Sequence, residues 1–399
     1  MTVSVWQRSD SAASTRADLV VVGAGVCGLA AAIEAERRGL RVVVVERHAV
    51  GSGASGRNAG FLMRGAADNY VVARRLYGEE LARRLWRISE ENLEVLRSLG
   101  VSELGSYRAV PSCLVAFDET ERGELIESHE RLVADGFASG LIDTAGGAGP
   151  GDRLFEVARS RGERLVTLVN PDDASCDPCE LLSMLRGRVK GRILEHQEVC
   201  AIEPCGSGAR VVTAAACVEA ERVLLATNAY AALLVPSLLE VVRPRRGQML
   251  AIEAPECVLS MSYYANRGSE YFRHAGGARI VVGGCRTTAV DEEVGYEDRT
   301  TDGVQGAIER FAMRVLGLDR LDVRARWSGV MGFSADGLPL IGRVEIQTRD
   351  GGVWRDAPVW FCGGFTGHGM SLGVRSAQVA VAEMVDGTKG PFPLSRLRA

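Results

Sequence analysis

Proline is scarce in this chain, 12 of 399 residues, and no stretch reads as low complexity or repeats at a fixed period. Those absences argue against a Pro-rich linker, a disordered polar segment or a solenoid. No apolar run approaches the roughly 20 residues that span a bilayer. No basic run stands out and the formal net charge is −4, so the electrostatic footprint of a nucleic-acid binder is missing. A second CxxC is lacking too. Cys176 and Cys179 in "SCDPCE" are the one close pair among ten scattered cysteines, with His196 the only nearby histidine. A structural zinc site usually needs a second such pair, so packed or helix-start thiols are expected, and no metal. The N-terminal "MTVSVWQRSDSAASTRAD" has neither the basic start nor the apolar core of a signal peptide. A cytoplasmic chain with reduced thiols is the expectation.

What is present suffices for a sizeable core: 46% hydrophobic and 25% charged residues. The length suggests two or three domain-sized units, or one large two-domain enzyme. Glycine is plentiful, 47 residues, and clusters at the ends of apolar runs, where tight turns are expected.

The clearest pattern is "ADLVVVGAGVCGLAAAIEAERRGLRVVVVE". An apolar run, Leu19 to Val22, meets a glycine turn, then an Ala-rich helical stretch, then a second run, Val42 to Val45. Near-continuous valine fits parallel strands buried on both faces. Gly23, Gly25 and Gly28 are spaced as GxGxxG, with Ala24, Val26 and Cys27 between them. In that fingerprint the first glycine permits the turn, the second lets backbone approach a pyrophosphate, and the third lets helix and strand pack closely. The phosphates sit at the helix N-terminus. Glu46 ends the second run, where an acid takes a ribose hydroxyl. Dinucleotide binding follows.

Next comes "ERHAVGSGASGRNAG", residues 46 to 60. Its small residues let backbone lie against a flat ligand, and Ser55, Arg57 and Asn58 offer donors. An ordinary βα continuation, as in many NAD enzymes, is absent. The run resembles the second flavin loop of the D-amino-acid-oxidase-like family of FAD-dependent oxidoreductases. The nearest branch holds glycine oxidase and gamma-glutamylputrescine oxidase. Further motifs carry the resemblance from about Ala17 to Gly387: "VNPDDASCDPCELLSMLRGRV", "ILEHQEVCAIEP", "AERVLLATNAYAALLVP", "VRPRRGQML", "SADGLPLIG" and "CGGFTGHGMSLG".

That resemblance implies an α/β architecture (α+β overall) of the glutathione-reductase type. A Rossmann-like FAD-binding domain would be accompanied by a mostly antiparallel substrate domain. The expected segments are 1–89, 171–242 and 329–399 for FAD, and 90–170 and 243–328 for substrate. "SYYANRGSEYFRHAGGARIVVGGCRTT" alternates as antiparallel strands do, and "GEELARRLWRISEENLEVLRSLG" is an amphipathic helical stretch.

Implied cofactor contacts are the turn Gly23 to Gly28, Glu46 and Arg47, then Ser52, Ala54, Ser55, Arg57, Asn58 and Ala59. Val199 would meet the adenine through its backbone, and Ala226, Thr227 and Asn228 would lie near the cofactor. Met331, Gly364, Phe365, Gly367, His368, Gly369 and Met370 would close over the flavin. N–H groups of Gly367 and Gly369 at the following Ala/Val-rich helix would stabilise negative charge on the reduced ring. His368 reads equally as catalytic or as a turn histidine bonded to backbone.

The implied reaction is oxidation of a C–N bond in a small-molecule amine or amino acid. Hydride passes to flavin N5, the imine hydrolyses, and dioxygen or another acceptor takes the electrons. Three departures from family patterns matter. Gly329 stands where some relatives carry the cysteine that binds FAD covalently, so non-covalent FAD is expected. Met331 and Ser371 replace the Arg and Lys that grip a substrate carboxylate in relatives, so a larger amine is expected, with Met331 and Trp327 giving apolar surface. A lysine that assists dioxygen is replaced near Val281. Tyr271, Arg273 and one of Arg245 and Arg246 are candidate substrate contacts. The alternatives are a non-catalytic assembly subunit, or a flavin dehydrogenase or hydroxylase of another substrate class. No "GD" motif precedes the last helix, which weighs against a hydroxylase.

Overall fold

A computed structural model describes residues 15–66, 68–146, 149–348 and 351–397. Residues 1–14, on which the expectation of no signal peptide rests, lie outside the described residues. So do residue 67, residues 147–148 and 349–350, and the last two, all within expected domain segments. The architecture is α/β. The chain divides into two compact units. One takes the residues up to Gly56, Leu181–Arg245 and those from Val330 onward; the other takes Arg57–Glu180 and Arg246–Gly329.

The first unit is built on an eight-stranded sheet. Its path runs Leu340–Arg343, Val359–Gly363, Cys217–Leu225, Thr15–Val22, Val42–Val45, Arg192–Leu194, with the hairpin Val199–Cys205 and Gly208–Thr213 folded off Cys217–Leu225. The central strands pair in parallel, Leu19 opposite Val42 and Val223 opposite Val359. Every residue of Val42–Val45 is buried, as a valine run covered on both faces requires. The run "ILEHQEVCAIEP" forms parts of two strands, because the chain turns at His196 with φ 58°. "VRPRRGQML" lies inside one long strand, Val242–Glu253.

The second unit carries its own eight-stranded sheet, in the order Asp322–Ser334, Val242–Glu253, Arg279–Gly284, Glu270–His274, Ser262–Ala265, Ser112–Ala116, Val166–Asn170, Gly140–Asp143. The three strands expected from "SYYANRG…GGCRTT" pair antiparallel; Ser262–Ala265 pairs with Ser112–Ala116 in parallel. Alternation sorts the two faces. Leu250, Val282, Phe272 and Tyr263 face one core, with Leu154 and Phe155 of the helix Arg153–Ser160 and Ile308 and Val315 of the helix Asp302–Leu316. Met249, Ala251 and Val281 face a second, smaller core with Ala59, Phe61 and Met63.

Segments 57–89 and 171–180 fall in the second unit, not in the FAD-binding segments where they were expected. The reason is long-range contact with the rest of that unit: Arg108 and Ser175 exchange backbone hydrogen bonds, and Arg64 donates to Asn170 Oδ1 at 3.0 Å. Phe61–Leu62 pairs with Ala174–Ser175, and the helix Tyr70–Tyr77 packs on the helices Glu79–Ser98 and Glu119–Ala134. Among the described residues no helix is long and apolar enough to cross a membrane.

Candidate functional site

The first strand ends at Val22 and turns through Gly23, whose φ of 102° suits glycine. The helix Val26–Arg37 starts directly after Gly25. A Cβ on Gly28 would stand 1.9 Å from Gly23 O, and one on Gly25 2.8 Å from Ser55 Oγ. The turn therefore exists only with bare backbone at those positions. Ser55 Oγ accepts the Val26 N–H at 3.0 Å, so a hydroxyl from the second loop caps the helix start that the sequence assigns to phosphate. Glu46 accepts Ala24 N–H at 2.8 Å and His48 N–H at 2.9 Å, one on each oxygen. Each oxygen keeps a second lone pair for a hydroxyl donor.

Other predicted contacts act through backbone or serve the fold. Cys27 turns its thiol inward, 3.5 Å from the Cys362 thiol. Arg47 lies over the Tyr230 ring, 4.5 Å from its centroid, and pairs with Glu198 at 3.8 Å. Ser52 Oγ accepts Ala49 N–H, and Ala54–Gly56 is a short 3-10 turn. Val199 opens the strand Val199–Cys205 and is buried. Ala226 donates its N–H to Val22 O at 2.9 Å. The Thr227 hydroxyl oxygen is buried without a hydrogen-bond partner among the described residues, while its methyl would lie 3.1 Å from a Cβ on Gly23.

The C-terminal motif forms a tight turn, Gly364 to His368, before the helix Gly369–Asp386. Asn228 Oδ1 accepts Gly364 N–H at 2.8 Å. Thr366 donates its N–H to Gly332 O, and its hydroxyl accepts Ser334 N–H at 3.2 Å. Phe365 O accepts His368 N–H. The Met331 sulfur lies 3.9 Å from where a Cβ on Gly367 would stand, so the structure brings Met331 to this turn. Gly369 and Met370 form the first turn of the helix, where N–H groups lack intrahelical partners. His368 is buried, and burial pushes its pKa below the ordinary histidine value. Its Nδ1 lies 3.0 Å from Thr366 O. A carbonyl can only accept, so Nδ1 carries the proton and Nε2 is the acceptor nitrogen of the neutral ring.

In the second unit, Phe61, Tyr264, Tyr271 and Trp327 join the smaller core. Phe61 and Tyr264 ring centroids are 4.8 Å apart, Tyr264 and Tyr271 5.7 Å. The Tyr271 ring lies over Gly283, where a Cβ would meet it at 2.5 Å. Burial pushes the Tyr271 phenol up to about 12, so it stays neutral at ordinary pH. Trp327 donates its indole N–H to Arg57 O at 2.9 Å. Arg57 donates to Ser328 O at 3.0 Å and pairs with Asp298 at 2.7 Å. Asn58 Oδ1 accepts Gly60 N–H, closing the loop.

Two arginine expectations need correction. Arg273 is buried, and its guanidinium donates to the carbonyls of Ala59, His274 (2.8 Å) and Cys176 (2.7 Å). It holds the 57–60 loop to the sheet instead of presenting a charge to a ligand. Arg246 is 1% exposed and paired at 2.8 Å with Glu293, itself fully buried; it also donates to Glu292 O and Glu297 O. Val281 lies in the apolar cluster. The chain has two lysines, Lys190 and Lys389, neither in the second unit. Phe61, Tyr264, Ser334 and Thr366 were not singled out from sequence. The last two stand inside quoted motifs, and the alternation around "SYY" was the available signal for Tyr264.

The first unit fits a dinucleotide. A glycine cradle that any Cβ would fill, an acid with spare lone pairs and the orphaned Thr227 hydroxyl surround one helix start. A family model described as "DAO: FAD dependent oxidoreductase" matches residues 18–383. Among curated proteins, the chain is similar to the glycine oxidase of Geobacillus kaustophilus (strain HTA426), 27% identical over 337 residues, covering 82% of this chain and 84% of that one. It is also similar to the gamma-glutamylputrescine oxidoreductase of Escherichia coli (strain K12), 24% identical over 410 residues, covering 95% and 86%. Among solved structures, L-proline dehydrogenase from P. horikoshii superposes with a TM-score of 0.75 at 19% identity, over 96% of both chains. At that identity the likeness shows the fold.

Proposed function

The chain belongs to the FAD dependent oxidoreductase family, and from that premise we propose that it oxidises the C–N bond of an amine or amino acid larger than a simple α-amino acid. When bound, FAD takes a hydride equivalent from the carbon bearing the nitrogen, and dioxygen or another acceptor takes the electrons onward. The protein's part is binding, orientation and electrostatics.

The first unit would hold the cofactor, without a covalent bond, since Gly329 offers no side chain to form one. N–H groups of the turn Gly23–Gly28 and the first turn of the helix Val26–Arg37 would take the pyrophosphate. Ribose hydroxyls would donate to Glu46, and the Thr227 hydroxyl would gain its missing partner. N–H groups of Gly367, Gly369 and Met370 favour negative charge beside them. His368, neutral with its proton on Nδ1, adds no positive charge to this turn. The second unit would serve as the substrate domain. The imine product leaves its nitrogen on hydrolysis in water.

One observation carries the substrate class. The second unit's sheet face around Tyr264, Tyr271 and Trp327 is aromatic and apolar, while the arginine on the same strand as Tyr271 is committed to three backbone carbonyls. Such a face supports binding of an extended apolar body. It does not supply the bidentate cation that a small α-carboxylate needs. Related proteins act on glycine and on gamma-glutamylputrescine by their names; the second is the longer molecule.

Anaerobic mixing of the FAD-loaded chain with a panel of amines and amino acids tests the reading. Bleaching of the visible flavin band by long amines, with glycine and sarcosine inert, is the expected result. Bleaching by glycine alone would overturn the substrate class, and no bleaching by any amine would overturn the activity. Acid precipitation should leave a colourless pellet; a yellow one would contradict non-covalent FAD.

A further inference from the structure

We infer that Asn228, expected to touch the cofactor, is a positioning residue whose side chain sets the turn Gly364–His368 and through it the reduction potential of bound flavin. The inference rests on the reading that the first unit holds FAD. The parallel ladder between Cys217–Leu225 and Val359–Gly363 ends at Leu225 opposite Phe361. Beyond it the chain turns away through Ala226 and Thr227, and the next backbone carbonyl on that side is gone. Asn228 supplies the replacement: its Oδ1 accepts Gly364 N–H at 2.8 Å. The donor is a backbone N–H, so the facing atom must be the oxygen.

Three further observations converge on the same amide. Asn228 has φ 48°, a conformation that asparagine tolerates better than other side-chain-bearing residues. A Cβ on Gly332 would stand 2.5 Å from Asn228 Oδ1, and one on Gly363 3.2 Å from Asn228 Cα. Gly332 therefore makes room for this side chain, and Gly363 for the Phe361 ring and the Asn228 backbone. The turn that Asn228 fixes is left-handed at Gly364 (φ 70°) and Gly367 (φ 89°), which suits glycine, and at Thr366 (φ 49°), which strains a side-chain-bearing residue. A left-handed threonine holds only when its surroundings over-determine it. The other ties are Thr366 N–H to Gly332 O and the Thr366 hydroxyl with Ser334.

The consequence is electrostatic. The turn aims the first N–H groups of the helix Gly369–Asp386, and its Thr366 carbonyl orients His368. Donors aimed where negative charge develops stabilise the reduced form of a redox group. Loosening the turn should cost the reduced flavin more than the oxidised one.

The test uses the full chain loaded with FAD, in wild type and in Asn228→Gly, Asn228→Ala and Asn228→Asp. Asn228→Gly keeps the left-handed backbone but loses the acceptor. Asn228→Asp keeps the acceptor. Should Asn228→Ala fail to fold, Asn228→Gly, which relieves the backbone, carries the test. Readouts are amide hydrogen exchange at Gly364 and the reduction potential. We expect at least tenfold faster Gly364 exchange in Asn228→Gly, restored protection in Asn228→Asp, and in Asn228→Gly a potential about 30 mV lower, the equivalent of a tenfold lost preference for the two-electron-reduced form. Fast exchange with an unmoved potential would overturn the inference, leaving Asn228 a merely structural residue. Slow exchange in Asn228→Gly would overturn it as well. A wild-type chain that takes up no FAD would sink the reading of the cradle itself, and this assignment with it.

Discussion

In the turn Gly23–Gly28 the residues work by what they leave out; in the strand Glu270–His274 they work by what they touch. Gly25 and Gly28 matter because Ser55 Oγ and Gly23 O occupy the space a Cβ would fill. Tyr271 and Arg273 matter because Gly283, Ala59 and Cys176, distant in sequence, come to meet them. Spacing along the chain determines the first kind of role and says little about the second. Gly28→Ala is the sharpest way to break the first region. Its Cβ would overlap a backbone oxygen that has no route of escape, and we expect a cost of at least about 3 kcal/mol and loss of FAD uptake. Thermal unfolding and the visible spectrum of the purified variant check this; a yellow, stable Gly28→Ala would mean that the close contact of helix and strand is dispensable.

Arg273→Met tests the other side. If Arg273 holds the 57–60 loop, its removal leaves buried carbonyls without donors, at a cost of about 2 kcal/mol, and the unfolding midpoint falls. A ligand-gripping arginine would behave oppositely, with KM for carboxylate-bearing substrates rising at unchanged stability. The two outcomes separate the sequence expectation from the observed hydrogen bonds.

Much of the fold was legible because its signals are periodic. Valine runs at Leu19–Val22 and Val42–Val45 gave parallel strands, and alternation after Ser262 gave an antiparallel sheet. The cofactor side was legible for a related reason: glycines and an acid at fixed spacing specify a backbone shape. Segments 57–89 and 171–180 fall in the second unit because Arg64 bonds Asn170 and Ser175 exchanges backbone bonds with Arg108, long-range choices that no local pattern records. Arg246 and Arg273 were illegible as structural residues for the same reason, since an arginine's partner is chosen by the fold. Asn228 stood in a recognised motif, yet its bond to Gly364, 136 positions away, could not be read from it.

Asp173 extends the comparison to pH. It is buried in the second unit, accepting from the Ser112 hydroxyl and from Arg64 N–H at 3.1 Å. Burial pushes its carboxyl from 3.8 up to about 7. A carboxyl raised on folding binds its proton more tightly in the native state, so its contribution is full below about pH 4 and is lost as pH rises through about 7. Stability should decline across that window and level off above it. Asp173→Asn, unable to ionise, should flatten the slope between pH 5 and about 7. Urea unfolding as a function of pH reads this out, and an unchanged slope would show that another group carries it.

The smallest effect should come from Asp298→Ala, which removes the partner of Arg57. Their side chains are 51% and 35% exposed, and such pairs contribute under about 1 kcal/mol. Arg57 keeps its bond to Ser328 O, and Gly329 lies so close that a Cβ there would be 3.3 Å from Arg57 Cβ. The Ser328 carbonyl and Asp298 thus meet the same guanidinium nitrogen, and Asp298→Ala removes one of these two contacts. Losing that exposed contact should leave the unfolding midpoint nearly unmoved, with a change under about 1 kcal/mol. A midpoint drop as large as that of Arg273→Met would place the exposed pair among the buried anchors and erase the distinction between buried and exposed arginine contacts.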